Sequence, residues 1–309
     1  MHIALFFWGR LPVRDYGGTQ RMVVCLARGL SLAGHRVSLI ATPGSVVPEA
    51  ELVPVETEAA RRPDFSIEPY LPPGMDLLLS FVEISRPPAA PWIHRLAGNR
   101  KPGEGGPPNT IYVSENHARR HGGWAWVYNG LDPADFRFRR EKDDYDLFLG
   151  RLHHAKGYRW AVEGARRTRR RLLLAGGWRP SLSRYVRYLG KVGGERKAAL
   201  LAGARVLWMP ALWEEPCSNA ILEALVSGTP VLGTRRGSLP EIISPDVGAL
   251  GDSVDELVAL RPALDRIEPD ACRARIERHF THRVMTEGYL RMFRGYLATG
   301  RLPDGISLA

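Results

Sequence analysis

Short apolar runs alternate with longer amphipathic segments along the chain of 309 residues. In the first half, the runs that predict buried strands lie at 3–8, 37–41, 76–82, 91–93 and 110–113. A helix is predicted to begin near Thr19, because apolar residues recur at helical spacing from there to Leu30. Strands that alternate with helices in this way are typical of a parallel sheet with crossover helices.

The second half repeats this alternation, starting at Tyr145. Its strand-like runs lie at 145–150, 172–175, 205–209 and 229–232, and its helical segments lie at 158–168, 269–279 and 281–298. The polar stretch 137–144 is interpreted as a linker. The pattern predicts an α/β protein with two Rossmann-like domains, whose parallel sheets face an interdomain cleft. The domains are predicted at 1–140 and 141–285, and a final helix, 286–309, is expected to pack back toward the first.

Composition excludes several classes of protein. The three cysteines, Cys25, Cys217 and Cys272, are odd in number and far apart, which argues against a disulfide framework and fits a reducing cytosol. No apolar run approaches the length of a membrane span, and the first residues lack the layout of a signal peptide. We therefore expect a cytoplasmic protein.

The net charge of +10 comes almost entirely from arginine, and the densest basic run is 166–171. Compositional bias and an anionic partner explain this charge about equally well. The basic run has no interleaved aromatic residues, so we expect no nucleic acid as a partner. The charge is compatible with peripheral contact at the inner, anionic face of a membrane.

Two glutamates, Glu215 and Glu223, flank a turn that leads into a predicted helix. A helix N-terminus offers backbone N–H groups and a partial positive charge to phosphate or sugar oxygens. An ionised carboxylate beside it can accept hydrogen bonds from two sugar hydroxyls. Taken alone, however, Glu215 could equally cap the helix, and Glu223 could be an exposed surface residue.

The segment 215–231 resembles the signature of the retaining family 4 (group 1) nucleotide-sugar glycosyltransferases, in which two glutamates are separated by seven residues. These enzymes have the two-domain GT-B fold. The resemblance implies that Glu215 faces the donor sugar and that Glu223 holds the ribose hydroxyls. It also implies that the backbone N–H groups of Cys217, Ser218 and Asn219 contact the sugar and phosphate. These three residues differ from the aromatic, glycine and aliphatic residues that are common in the family.

Other segments resemble the same family. The segment 150–157 is similar to its strand-exit loop, which implies that Arg151 and Lys156 grip the donor diphosphate. Two cations beyond the carboxyl end of a strand could neutralise a departing diphosphate. The segment 189–192, which includes Val192, resembles the loop that frames the nucleotide base, and 235–241 resembles the glycine-proline loop that closes the site.

The first half carries two more landmarks. Gly17 and Gly18 precede the first predicted helix, so the backbone can approach an anion there. The turn is similar to the family's first loop, which touches the diphosphate. His94 ends a predicted strand where the family has a histidine near the reacting sugar, although Arg95 follows it in place of the usual residues.

The resemblance implies transfer of a sugar from a nucleotide-diphosphate sugar, with UDP- or GDP-sugars favoured, to a glycan, lipid-linked or small-molecule acceptor. It implies retention of configuration and no required metal or other cofactor. His94, Arg151, Lys156 and Glu215 are the candidate catalytic residues. A non-catalytic nucleotide-sugar-binding protein and a GT-B nucleotide-sugar epimerase stay open as alternatives, and a nucleic-acid binder rests on charge alone.

Three patterns that suggest a metal are discounted. Asp144 and Asp146 match the metal-binding pair of another glycosyltransferase fold, but they lie where the linker meets a strand. His117 and His121 are one helical turn apart without the glutamate of a zinc protease helix, so they are interpreted as packing residues. The pairs His153–His154 and His279–His282 also lack carboxylate or cysteine companions.

Overall fold

The computed structural model describes residues 1–13, 17–101, 104 and 106–308. The chain divides into two compact units. Unit 1 comprises Met1–Gly130 and His282–Ser307, and unit 2 comprises Leu131–Thr281. The domain limits at 1–140, 141–285 and 286–309 stay predictions.

Each unit is built on a six-stranded, wholly parallel sheet. In unit 1 the strands are β1 (His2–Phe6), β2 (Arg36–Ala41), β3 (Glu51–Pro54), β4 (Leu77–Ser80), β5 (Trp92–Arg95) and β6 (Thr110–Ile111). In unit 2 they are β7 (Asp146–Leu149), β8 (Leu172–Ala175), β9 (Val186–Tyr188), β10 (Leu207–Met209), β11 (Val231–Gly233) and β12 (Gly248–Leu250). The prediction of two parallel α/β sheets is confirmed.

Helices connect the strands. They are α1 (Gly18–Leu32), α2 (Thr57–Ala60), α3 (Glu115–Arg120), α4 (Tyr158–Thr168), α5 (Gly194–Gly203), α6 (Asn219–Val226), α7 (Leu239–Ile242), α8 (Val254–Leu260), α9 (Pro269–His279) and α10 (His282–Thr299). Short 3-10 turns occupy Glu68–Tyr70, Pro133–Asp135, His154–Lys156 and Arg261–Arg266. Among the described residues, no helix combines the length and apolar character needed to cross a bilayer.

The hydrophobic core of unit 1 is formed by the strands of its sheet together with α1 and α10. Every residue of β1 is buried, as expected for a central parallel strand covered on both sides. Helix α10 contributes Tyr289 and Phe293 to this core. A side chain at Gly29 of α1 would overlap the hydroxyl of Thr286, so the two helices approach each other where only a glycine fits.

A buried ion pair anchors the core of unit 2. Arg261 donates from Nε to Asp146 Oδ2 at 2.7 Å and from Nη2 to Oδ1 at 2.6 Å, and both side chains are 1 % exposed. Trp208, fully buried, donates its indole N–H to the same carboxylate at 2.9 Å. Asp146, half of the aspartate pair discounted as a metal site, is therefore held by structural partners.

Strand order places a crevice in each unit. In unit 2 the order is β12-β11-β10-β7-β8-β9, so the chain winds in opposite directions from neighbouring strands β7 and β10. Unit 1 has the corresponding reversal between β1 and β4. At such switch points the loops that leave adjacent strands diverge, and ligands bind at the carboxyl ends of the strands. In unit 2 those loops are 150–157 and 210–218.

Candidate active site

Lys156 and Glu215 form an ion pair at the switch point of unit 2. Lys156 Nζ lies 2.6 Å from Glu215 Oε2, and the two side chains are 17 % and 8 % exposed. Lys156 ends the 3-10 turn after β7, and Glu215 lies in the loop after β10. The pair therefore joins the two loops that border the crevice.

The backbone holds these two loops together. Leu212 N donates to Ala155 O at 2.8 Å. Gly157, at φ +68°, has the left-handed conformation that favours glycine, and a Cβ there would overlap the carbonyl oxygen of Pro210. The position of Lys156 is thus fixed by contacts that leave no room for a side chain at the next residue.

Trp213 is a second donor to Glu215. Its indole N–H lies 2.5 Å from Oε2, the same oxygen that binds Lys156, and the Lys156 ammonium lies 4.9 Å from the centroid of its ring. Glu215 Oε1 makes no hydrogen bond with any described residue. One carboxylate oxygen is thus anchored, and the other keeps its capacity to accept a hydrogen bond. Trp213 was not predicted from the sequence as a site residue.

The loop after β11 is hydrogen-bonded to the segment that carries Glu215. Gly237 N donates to Glu214 Oε2 at 2.7 Å, and Ser238 N donates to Glu215 O at 2.9 Å. Gly237 has φ +61°, and a Cβ there would overlap the backbone of Glu215. The segment 235–241, singled out by resemblance, therefore packs directly on the glutamate segment.

Glu223 forms a second pair, with Lys197 of α5. Lys197 Nζ lies 2.8 Å from Glu223 Oε1, and the side chains are 13 % and 9 % exposed. Glu223 is thus buried, and the alternative that it is an exposed surface residue is wrong. The N-cap of α6 is Ser218, so Glu215 does not cap this helix either.

The remaining candidates of unit 2 also lie at the carboxyl edge of its sheet. Ser218 is buried, and Cys217 and Asn219 are partly exposed at the start of α6. Arg151 is exposed in the loop after β7, and Val192 is buried just beyond β9. A helix start, two carboxylates and two cations thus lie at one sheet edge. Their individual roles stay predictions.

His94 lies at the corresponding edge of unit 1, near the end of β5. It is 2 % exposed, and neither ring nitrogen is hydrogen-bonded to a described residue. Burial lowers the pKa of His94 to about 4, and the positive charge of Arg100 makes the second-largest contribution to this shift. The ring is therefore neutral at pH 7, with one nitrogen able to donate and the other able to accept. Gly17 and Gly18 lie at the N-terminus of α1, and their roles likewise stay predictions.

Arg95, the unusual neighbour of His94, has a structural environment. Its Nε donates to the hydroxyl of Tyr289 at 2.8 Å, and Nη2 donates to Asn129 Oδ1 at 2.5 Å. The guanidinium also lies 5.2 Å from the ring centroid of Phe81. No carboxylate of the described residues pairs with this buried cation.

The discounted histidines pack as expected. The rings of His117 and His121 lie 4.9 Å apart, and both contact Tyr112. Burial, with a further contribution from His121, lowers the pKa of His117 to about 3. His153 Nδ1 accepts from Ala155 N at 3.2 Å and so caps the turn that carries Lys156. The described residues contain no group of three or more side chains suited to holding a metal ion.

Each unit is a doubly wound parallel sheet, and this architecture is shared with solved glycosyltransferases of the GT-B fold. The family model "Glycosyl transferases group 1" matches residues 145–264. AviGT4, a glycosyltransferase involved in avilamycin A biosynthesis, is 31 % identical, with a TM-score of 0.80 over 96 % of this chain and 98 % of that one. The chain therefore belongs to the group 1 glycosyltransferases and has the GT-B fold.

Other relatives are more distant. An uncharacterized glycosyltransferase of Methanocaldococcus jannaschii, MJ1607, is 29 % identical over 154 residues, which cover 40 % of this chain and 39 % of that protein. The match thus spans about two fifths of that relative's length. Anabaena HepE, solved in complex with UDP and glucose, is 15 % identical, with a TM-score of 0.68 over 96 % of this chain and 99 % of that one. At this identity the likeness concerns the fold alone.

Proposed function

We propose that this protein transfers a sugar from a nucleotide-diphosphate sugar to an acceptor, with retention of anomeric configuration and without a required metal. The observation that carries the proposal is the group of Lys156, Glu215 and Trp213 at the switch point of unit 2. The ion pair, to which Trp213 adds a second donor, has one carboxylate oxygen without a hydrogen bond to any described residue and a cation beside it. Those two groups suit a sugar hydroxyl and a phosphate.

In this proposal the donor diphosphate binds against Arg151 and Lys156. The acceptor hydroxyl attacks the anomeric carbon on the face from which the diphosphate leaves. The bond between this carbon and the diphosphate oxygen breaks, and the hydroxyl proton passes to that departing oxygen. The two cations stabilise the negative charge that develops on the diphosphate, and the largely buried Lys156 interacts with it more strongly than the exposed Arg151 does.

The carboxylates bind rather than react in this scheme. Glu215 Oε1 accepts a hydrogen bond from the donor sugar while Oε2 stays anchored to Lys156 and Trp213. Glu223 accepts from the ribose hydroxyls, and Lys197 gives this buried carboxylate a cationic partner 2.8 Å away. The N–H groups at 217–219 face the sugar and phosphate, and Val192 borders the base. His94, neutral at pH 7, exchanges hydrogen bonds with a sugar hydroxyl, and the Gly17–Gly18 turn approaches the diphosphate.

The donor is a UDP- or GDP-sugar in this proposal, and the UDP bound to the structurally similar HepE supports the first. The acceptor is a glycan or a lipid-linked sugar. The deciding experiment is a thermal-shift panel of UDP-, GDP-, ADP- and CDP-sugars. The correct donor raises the unfolding temperature, because a ligand that binds only the native state stabilises it by about 2.7 kcal/mol at a hundredfold excess over Kd.

The product then separates the proposed function from its alternatives. With the stabilising donor and an acceptor, we expect release of the nucleoside diphosphate, and NMR of the product should show the donor's anomeric configuration. Turnover of the donor without any acceptor would indicate an epimerase. Binding without release with any acceptor would indicate a binding protein. A panel in which no nucleotide sugar stabilises the protein contradicts the proposal altogether.

A further inference from the structure

One segment of unit 2 is positively charged throughout. From Gly164 to Gly194 the chain contains nine arginines and lysines and no aspartate or glutamate. Two of these arginines are neutralised by other segments, because Arg167 pairs with Asp255 at 2.6 Å and Arg170 pairs with Asp265 at 2.7 Å. Six exposed arginines of this segment form no ion pair with any described residue: Arg166, Arg169, Arg171, Arg179, Arg184 and Arg187.

The same segment exposes two large apolar side chains. The connection between β8 and β9, residues 176–185, contains no helix, although a helix usually joins neighbouring parallel strands. Within it Trp178 is 70 % exposed and Leu182 is fully exposed. Together with the six arginines, these two residues are here called the basic–apolar face.

Contacts place Arg179 and Arg184, which flank the exposed Leu182 along the chain, beside α4 and the start of β8. The Arg179 guanidinium lies 5.4 Å from the ring centroid of Tyr158, at the start of α4. The Arg184 guanidinium lies 4.8 Å from that of Tyr185. Leu172 N donates to Tyr185 O at 2.7 Å, which places the basic run at the end of α4 beside Arg184. The loop thus lies along the outer strand β9, next to that run.

We propose that the basic–apolar face docks unit 2 onto an anionic lipid bilayer. Arginines bind lipid phosphates through forked hydrogen bonds, and the attraction falls off within a Debye length of the surface. Trp178 has the amphipathic ring that favours the headgroup region, and Leu182 inserts among acyl chains. A nucleic acid would use the cations equally well but would need several stacking aromatics, and it gives Leu182 no role.

The test is co-sedimentation of the full chain with vesicles of phosphatidylcholine alone and of phosphatidylcholine mixed equally with phosphatidylglycerol. We expect binding to the mixed vesicles only, and its loss at high salt. The double substitution Trp178→Ser/Leu182→Ser and the pair Arg179→Ser/Arg184→Ser should each weaken binding roughly tenfold or more. Leu32→Ser/Val46→Ser removes two similarly exposed apolar side chains of unit 1 and should leave binding unchanged.

Each other outcome overturns the inference. Equal binding to neutral and anionic vesicles, or none to either, removes the role of charge. The Trp178/Leu182 variant could bind the mixed vesicles as the wild type does. If a single-stranded oligonucleotide then releases both the wild type and this variant from the vesicles, the basic–apolar face is a nucleic-acid site instead. The thermal shift by the donor should be unchanged in all these variants, so failure here is distinguishable from failure of the proposed function.

Discussion

The two units bury polar groups at their sheet edges in different ways. In unit 2 each buried carboxylate of the candidate site has a lysine within 2.8 Å: Lys156 for Glu215, and Lys197 for Glu223. In unit 1 the buried ionisable groups at the end of β5 are His94 and Arg95, and no carboxylate of the described residues pairs with either. Unit 2 thus keeps charges inside by pairing them. Unit 1 keeps His94 neutral and gives Arg95 only uncharged acceptors.

This difference has consequences for function as well as stability. A buried carboxylate that is paired with a lysine has a cationic partner, and its other lone pairs can accept hydrogen bonds from sugar hydroxyls. A neutral histidine instead offers one donor and one acceptor without attracting the negative diphosphate. The two edges therefore offer different kinds of hydrogen-bonding group. They should also respond differently to substitution and to pH.

The largest expected effect comes from breaking a pair in unit 2. Lys156→Met leaves the Glu215 carboxylate largely buried without its cation, and we expect the free energy of unfolding to fall by about 3 kcal/mol. Denaturant titration measures this loss. Lys156→Met/Glu215→Leu should recover more than half of it, because no unpaired charge is then buried. If the double variant is as unstable as the single one, charge pairing does not explain the stability of this edge.

A smaller effect is expected in unit 1 and depends on pH. The pKa of His94 is about 4 in the folded protein and about 6.5 when unfolded. Burial of the neutral ring therefore contributes stability in full above pH 6.5, and this contribution is lost as the pH falls toward 4. The native state binds fewer protons in that window, so the loss amounts to roughly 2 kcal/mol by pH 4.5.

The check is the urea midpoint between pH 7 and pH 4.5. His94→Gln should flatten its decline, since it removes one group that must be protonated on unfolding. His117, whose pKa is also lowered by burial, keeps part of the decline in the variant. His154→Gln, at an exposed position of unit 2, should decline as wild type does. A His94→Gln curve parallel to wild type would show that this histidine is not buried neutral.

The residues at these two sheet edges could be predicted from the sequence only in part. The predicted strands and the helices at 158–168 and 269–279 follow from apolar periodicity, and they are confirmed. Strands β3, β9 and β12 were missed, because β3 has only exposed or half-exposed residues and the other two are three residues long with one buried residue each. Glu215, Glu223 and Lys156 were identified by motif. Their partners Trp213 and Lys197 were not, because which side chain reaches a carboxylate depends on tertiary packing.

The lysine content of the chain could have pointed to Lys197 as one of these partners. The chain has only five lysines, although it is rich in arginine. Three of them, Lys142, Lys156 and Lys197, are partly buried and hold specific oxygens. A compact ammonium fits such positions where a planar guanidinium does not. These three lysines therefore mark sites of close packing, whereas Lys101 and Lys191 are exposed.

A third substitution tests the anchoring of Glu215 without removing a charge. Trp213→Phe keeps a ring beside Lys156 but deletes the N–H that binds Oε2. We expect kcat to fall about tenfold, with little change in KM for the donor. The reason is that one hydrogen bond to a carboxylate, worth about 1.4 kcal/mol, is lost. Steady-state kinetics measure both. Trp178→Phe, at an exposed position, is the control; equal kinetics for the two variants would exclude a positioning role for Trp213.

The substitution with the smallest expected effect tests whether stability can change while turnover stays the same. Arg169 is the C-cap that follows α4, and its φ of +54° is a left-handed conformation that favours glycine. Arg169→Gly should raise the free energy of unfolding by up to about 1 kcal/mol. Turnover should not change, because no candidate residue is involved. A parallel rise in turnover would mean that the other variants cannot be interpreted apart from overall stability.

The most direct test concerns Lys156 and the leaving diphosphate. It compares nucleoside diphosphate release by wild type, Lys156→Ala and Lys101→Ala, with the sugar nucleotide that stabilises the wild type. Lys101 is an exposed lysine of unit 1 and serves as the control. We expect Lys156→Ala to lose at least about a hundredfold in turnover, since electrostatic groups at the leaving group commonly contribute that much. Lys101→Ala should turn over as wild type does. Wild-type turnover by Lys156→Ala would contradict the assignment of the donor site to the paired edge of unit 2.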